Sequence, residues 1–141
     1  MTAGKRAIVA GIAYFALVFA AGFGLGIFRV TLLVPRVGVR FAELLEMPIM
    51  LAVVVLSARA IVRRFTIERA NRGRLVMGGV AFALAIAAES LVVIGIQHQS
   101  LSVYLAGRDP VSGSVFALLL VVFAAAPLLL ARLGPWSRAA L

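Results

Sequence analysis

No cysteine occurs in this sequence, which excludes disulfides, thiolate metal sites and cysteine nucleophiles. Acidic residues are scarce as well: five Asp and Glu stand against fourteen Lys and Arg, for a net charge of +9. Charged residues make up only 13% of the chain, against the ~25% of an ordinary soluble domain, while 64% is hydrophobic. A domain of 141 residues buries too small a fraction of its surface to hide that much apolar side chain from water. Lipid is the expected solvent for most of it. The length leaves room for one domain, residues 1–141.

The positive charge does not read as a nucleic-acid surface. The basic residues sit between apolar runs and are not interleaved with aromatics on one face, so no nucleic-acid partner is expected. Thirteen of the fourteen basic residues are Arg, and Ala is abundant, a composition that suggests a GC-rich bacterial genome.

What the chain has in quantity is long apolar runs. One extends from Ala7 to Phe28 and on towards Val34, a second from Leu75 to Ile96 broken only by Glu89, and a third, free of charge, from Val111 to Ala131. Each reaches the ~20 residues that cross a ~30 Å hydrocarbon core at 1.5 Å per residue. The first is too long for the core of a cleaved signal peptide, despite its basic start at Lys5 and Arg6. A further run, Met47 to Ala58, is too short alone but spans if Phe41–Glu46 and Arg59–Val62 are included, Arg59 snorkelling to the interface; a re-entrant segment is the competing reading. The expected fold is all-α, an antiparallel four-helix transmembrane bundle with helices over 7–32, 41–62, 75–97 and 110–132. Asp109 before Pro110 suits the N-cap and first turn of the last helix.

Positive charge sets orientation. Lys5, Arg6, Arg59, Arg63, Arg64, Arg69, Arg72, Arg74, Arg132 and Arg138 fall on one side of such a bundle, and Arg29, Arg36, Arg40 and Arg108 on the other. Both termini are therefore expected in the cytoplasm of a plasma (inner) membrane. The basic segment 62–74 is placed to lie against anionic lipid headgroups, though its simpler role is to fix topology. Tyr104 and Trp136 fit as interface anchors.

Charges inside spanning helices are costly, ~2.5–3.5 kcal/mol on insertion scales, and usually face a partner or a cavity. Arg29 lies near the outer end of the first helix, and Glu43 and Glu46 at the outer start of the second. Glu89 is 14 residues beyond Leu75, ~21 Å along the third. All four thus converge on one level of the membrane. Gly22, Gly26 and Arg29 share a helical face, as do Gly78, Ala81, Ala85 and Glu89, and such small-residue stripes are where membrane helices approach closely. Arg29 is expected to pair with one or two of these Glu, Glu89 foremost. Pro48 cannot bond to the carbonyl of Leu44, and Pro127 cannot bond to that of Phe123, so each is expected to kink its helix and leave an acceptor open. His98, in Gln97-His98-Gln99, stands at the outer mouth of the third helix, where a lone His is usually solvated. It belongs to the candidate charge cluster, but no metal or other cofactor is expected.

No phosphate loop, zinc-protease motif or Ser–His pairing is present, Ser90 and Ser100 included, and no internal repeat supports an inverted-repeat transporter. The expectation is a non-catalytic accessory or assembly subunit, working as a homo-oligomer or within a larger membrane complex. The alternative is a small oligomeric transporter or channel for protons, a cation or a small solute, and a membrane-embedded enzyme is the third reading.

Overall fold

The computed structural model describes residues 2–67, 71–96, 98 and 100–132. All elements among the described residues are helical. In chain order they are α1 (Ala3–Phe28), a π-helical turn π1 (Arg29–Leu33), α2 (Val34–Arg64), α3 (Asn71–Leu91), a second π turn π2 (Val92–Ile96), α4 (Leu101–Gly107) and α5 (Pro110–Arg132).

Three stretches among the described residues, Ala3–Arg64, Arg72–Gly95 and Gly113–Leu130, are long and apolar enough to cross a membrane. The first, at 62 residues, is far longer than one crossing needs. It is interrupted at Gly38, whose φ of 85° is open to glycine and strained for other residues. The chain changes direction there, and α1 and α2 pack on each other. α2 stays helical across the whole of 41–62, but its helical bonding begins at Val34, and Gly38 rather than Pro48 makes the break. α3 starts at Asn71, four residues before Leu75, and helix α4 occupies what reads in the sequence as a plain connection.

Packing closes a circuit: α1 against α2 and α3, α3 against α5, and α5 against α2. Ala10, Tyr14, Val54, Ala58, Met77, Ala81, Phe123 and Ala126 form much of the interior. Large apolar side chains face outward instead, with Leu91 71% exposed and Phe23 and Leu118 each 64% exposed. An apolar surface on that scale is unsuited to water and suited to lipid. The protein is thus a helical membrane protein with its few buried charges, Glu43, Glu46 and Arg74, turned inward.

The helices meet most tightly where α1, α3 and α5 cross. A Cβ on Gly11 would come within 2.7 Å of the Met77 carbonyl oxygen and 2.9 Å of Val80 Cβ. A Cβ on Gly78 would collide with the backbone carbonyl of Ala124. Ala81 continues the Gly78 face and is fully buried. Beside this crossing, the Tyr14 hydroxyl donates to the Phe123 carbonyl at 2.7 Å. That is the acceptor Pro127 cannot engage, so a hydroxyl on α1 fills the gap left by a proline on α5.

Arg74 corrects a further expectation. It is fully buried rather than turned to headgroups, and its guanidinium donates to the Pro127 carbonyl at 2.9 Å and the Ile67 carbonyl at 3.3 Å. Arg63, Arg64 and Arg72 are exposed. Arg69, Gln97, Gln99, Trp136 and Arg138 lie outside the described residues.

Candidate binding cavity

At the opposite end from Arg74 the helices stand apart. Residues of α1, π1, α2, α3, π2, α5 and the connection before α5 enclose a cavity of about 760 Å³. Five charged side chains line it: Arg29, Glu43, Glu46, Glu89 and Arg108. Four of these are the residues that depth along the helices brings to one level. The fifth, Arg108, reads in the sequence as an outer-loop residue and not as a member of the cluster. Its only signal is that it is the last cation before the charge-free run from Val111 to Ala131.

The partners differ from those expected. Arg29 Nη1 donates to Glu46 Oε2 at 2.9 Å, not to Glu89. Arg108 Nη2 approaches Glu43 Oε2 at 3.5 Å, with its guanidinium 4.9 Å from the centre of the Phe116 ring. The reason is geometric: Glu43 and Glu46 lie three residues apart on α2 and present one face to both cations. Further out, Arg40 holds both carboxylate oxygens of Asp109 at 2.8–3.1 Å, tying the start of α2 to the start of α5.

Glu89 makes no hydrogen bond or ion pair among the described residues. Arg108 and Arg29 act on it electrostatically, but neither contacts it. The lining therefore carries two guanidiniums against three carboxylates, with each guanidinium already on a carboxylate of α2. Glu89 is the one in excess.

A second cavity of about 530 Å³ lies beside the first, between α3 and α5. Glu89, Arg108, Phe116 and Leu120 line both, so the carboxylate stands in a shared wall. Asp109, Pro110 and Ser114 line the second cavity on its other side, and Pro110 and Ser114 are exposed.

Gly22 and Gly26 play another part than the close helix packing expected of them. Both line the large cavity. A Cβ on Gly22 would meet only the end of the Met50 side chain, at 3.4 Å, and one on Gly26 only Arg29, at 3.8 Å. Here the small residues make space, whereas Gly78 removes it. Ala85, 9% exposed, also lines the cavity. Neither Leu44 nor Pro48 does, and Pro48 faces outward, so the carbonyl that this proline leaves open adds nothing to the site. His98 is exposed and lines neither cavity, which removes it from the cluster.

Both π turns border this space. Arg29, Val30 and Thr31 of π1 and Val92 of π2 line it, and the Thr31 hydroxyl donates to the Ile27 carbonyl at 2.7 Å where the turn widens. Such wide turns recur at functional sites in helical proteins. Among the described residues no group of three or more His, Asp or Glu side chains is arranged to hold a metal ion.

No protein-family model, curated protein or solved structure matches this chain. The geometry alone carries the functional argument.

Proposed function

We propose that this chain is a bacterial inner-membrane protein crossing the bilayer four times in an antiparallel bundle, with both termini cytoplasmic, whose cavity binds a positively charged solute at Glu89. The distribution of Arg and Lys supports the orientation, since the end bearing Lys5, Arg63, Arg64 and Arg72 is the more basic. The cavity then lies towards the outer side. One observation carries the binding reading: with Arg29 on Glu46 and Arg108 near Glu43, Glu89 is left without a cation in contact with it, beside apolar walls. A carboxylate in such surroundings is stabilised by taking up a proton or a cation.

Carrying the solute through the membrane is the task for which an oligomer would serve. Infrared spectra recorded across a pH series test the binding reading. A carboxyl band that titrates, and disappears in Glu89→Gln, is the expected result. Spectra unchanged by that substitution at every pH would remove the reading.

The accessory-subunit reading is favoured by a different observation, the two ion pairs that fasten π1 and the segment before α5 to α2. In that reading the cluster is a clamp and the activity belongs to a partner complex. Stoichiometric co-purification with a larger membrane assembly, unaffected by Glu89→Gln, is its signature.

A further inference from the structure

From the walls of the cavity we infer the class of solute: a lipid-soluble organic monocation, one positive charge carried on an aromatic or branched apolar body. This rests on the binding role of Glu89 proposed above and adds the identity of the ligand. Charge supplies half of the argument. A lining with two cations and three carboxylates lacks one positive charge, and two of the carboxylates are already engaged.

The remaining surface supplies the other half. Phe15, Phe19 and Phe23 recur at every fourth position of α1, with successive ring centres 5.2 and 6.4 Å apart, and all three line the cavity. Phe116 and Phe123 line it from α5. Aromatic faces attract cations and accept flat apolar groups, a combination suited to a hydrophobic cation rather than to a hydrated metal ion. Two methionines, Met47 and Met50, add adaptable wall from α2.

The position of the rim agrees. Phe19, Phe23, Ile27 and Val30 line the cavity and are 40%, 64%, 54% and 59% exposed, so apolar side chains form its open rim. The mouth therefore opens through side chains that face lipid. A solute entering this way must dissolve in the bilayer, and its charge must then find an anion inside. Glu89 is that anion, while the absence of Cβ atoms at Gly22 and Gly26 leaves volume for the apolar body.

Radiolabelled tetraphenylphosphonium, binding to the detergent-purified full chain, is the probe. It should bind saturably at about one per chain, and Glu89→Gln should weaken it about tenfold or more. Tetraphenylborate, of the same shape and opposite charge, should not compete. Gly26→Phe should block the probe by filling space while leaving the titrating carboxyl band of Glu89 in place, which separates loss of the site from loss of folding. Equal competition by tetraphenylborate, or binding unchanged in Glu89→Gln, would overturn the inference. If Glu89 titrates, or binds tetramethylammonium, and tetraphenylphosphonium does not bind, the ligand class is wrong and the binding role of Glu89 stands. If Glu89 neither titrates nor binds any of these cations, both fall.

Discussion

At the end of the molecule that carries Arg74, backbones of different helices nearly touch; at the end that carries Arg29, side chains stand back around about 760 Å³ of space. Both ends use glycine, proline and arginine, and the difference lies in what faces them. Gly78 faces the backbone of Ala124, whereas Gly26 faces the cavity, with only the end of the Arg29 side chain in reach. Arg74 is closed in by carbonyl acceptors from Pro127 and Ile67, whereas Arg29 and Arg108 lean on carboxylates that outnumber them. Where a buried guanidinium is met by backbone carbonyls the packing is a clasp. Where the charges do not balance, a place remains for something else.

The contrast can be broken most severely at Arg74. Arg74→Ala opens a void and strips a donor from two buried carbonyls, so it should cost about 3 kcal/mol or more in unfolding experiments in mild detergent. Stability within ~0.5 kcal/mol of the parent would show that this end is no clasp. Next in size is Gly78→Ala, which sets a methyl group against the Ala124 backbone and should cost about 1–3 kcal/mol. Gly26→Ala makes the same chemical change where a Cβ meets only Arg29 at 3.8 Å, and should be neutral or gain up to about 1 kcal/mol from helix propensity. The comparison fails if both glycines respond alike. Tyr14→Phe leaves the Phe123 carbonyl without its donor and should cost about 1–2 kcal/mol, a loss that Pro127→Ala should reduce by returning an amide to that acceptor.

At the open end, a double-mutant cycle on Arg29→Met and Glu46→Gln should give a coupling of about 0.5–3 kcal/mol, while Arg29→Met with Glu89→Gln should be closer to additive. The reverse ranking would restore the Arg29–Glu89 pair that the sequence suggests.

The level of the cluster was legible in the sequence because the rise per residue is nearly constant, so counting along the helices places Arg29, Glu43, Glu46 and Glu89 together. Their pairing was not legible. It depends on which helix stands beside which, and the sequence does not state that α2 offers both its carboxylates to π1 and to the segment before α5. Arg108 escaped notice for the same reason, being separated by 65 positions from the Glu43 it meets. The small-residue stripes show a second limit. Gly22–Gly26 and Gly78–Ala81 look alike as patterns, yet one lines a cavity and the other a contact, since a missing side chain acts only through whatever stands opposite. Pro127 was legible halfway: the open carbonyl at Phe123 follows from the covalent chemistry of proline, but the hydroxyl of Tyr14 arrives from 109 residues away. Arg74 looked like one more member of a basic segment, and only the packing of α3 on α5 shows it to be enclosed.

Glu89 separates the two accounts of the open end most directly, through the thermal stability of Glu89→Gln set beside that of Glu46→Gln under one detergent condition. Glu46 is held by Arg29, and losing its charge should lower stability by about 1–3 kcal/mol. Glu89 has no such contact, and losing its charge should leave stability unchanged or raise it, because an unmatched carboxylate no longer faces apolar walls. Equal destabilisation by the two substitutions would contradict the account and make Glu89 part of the clamp.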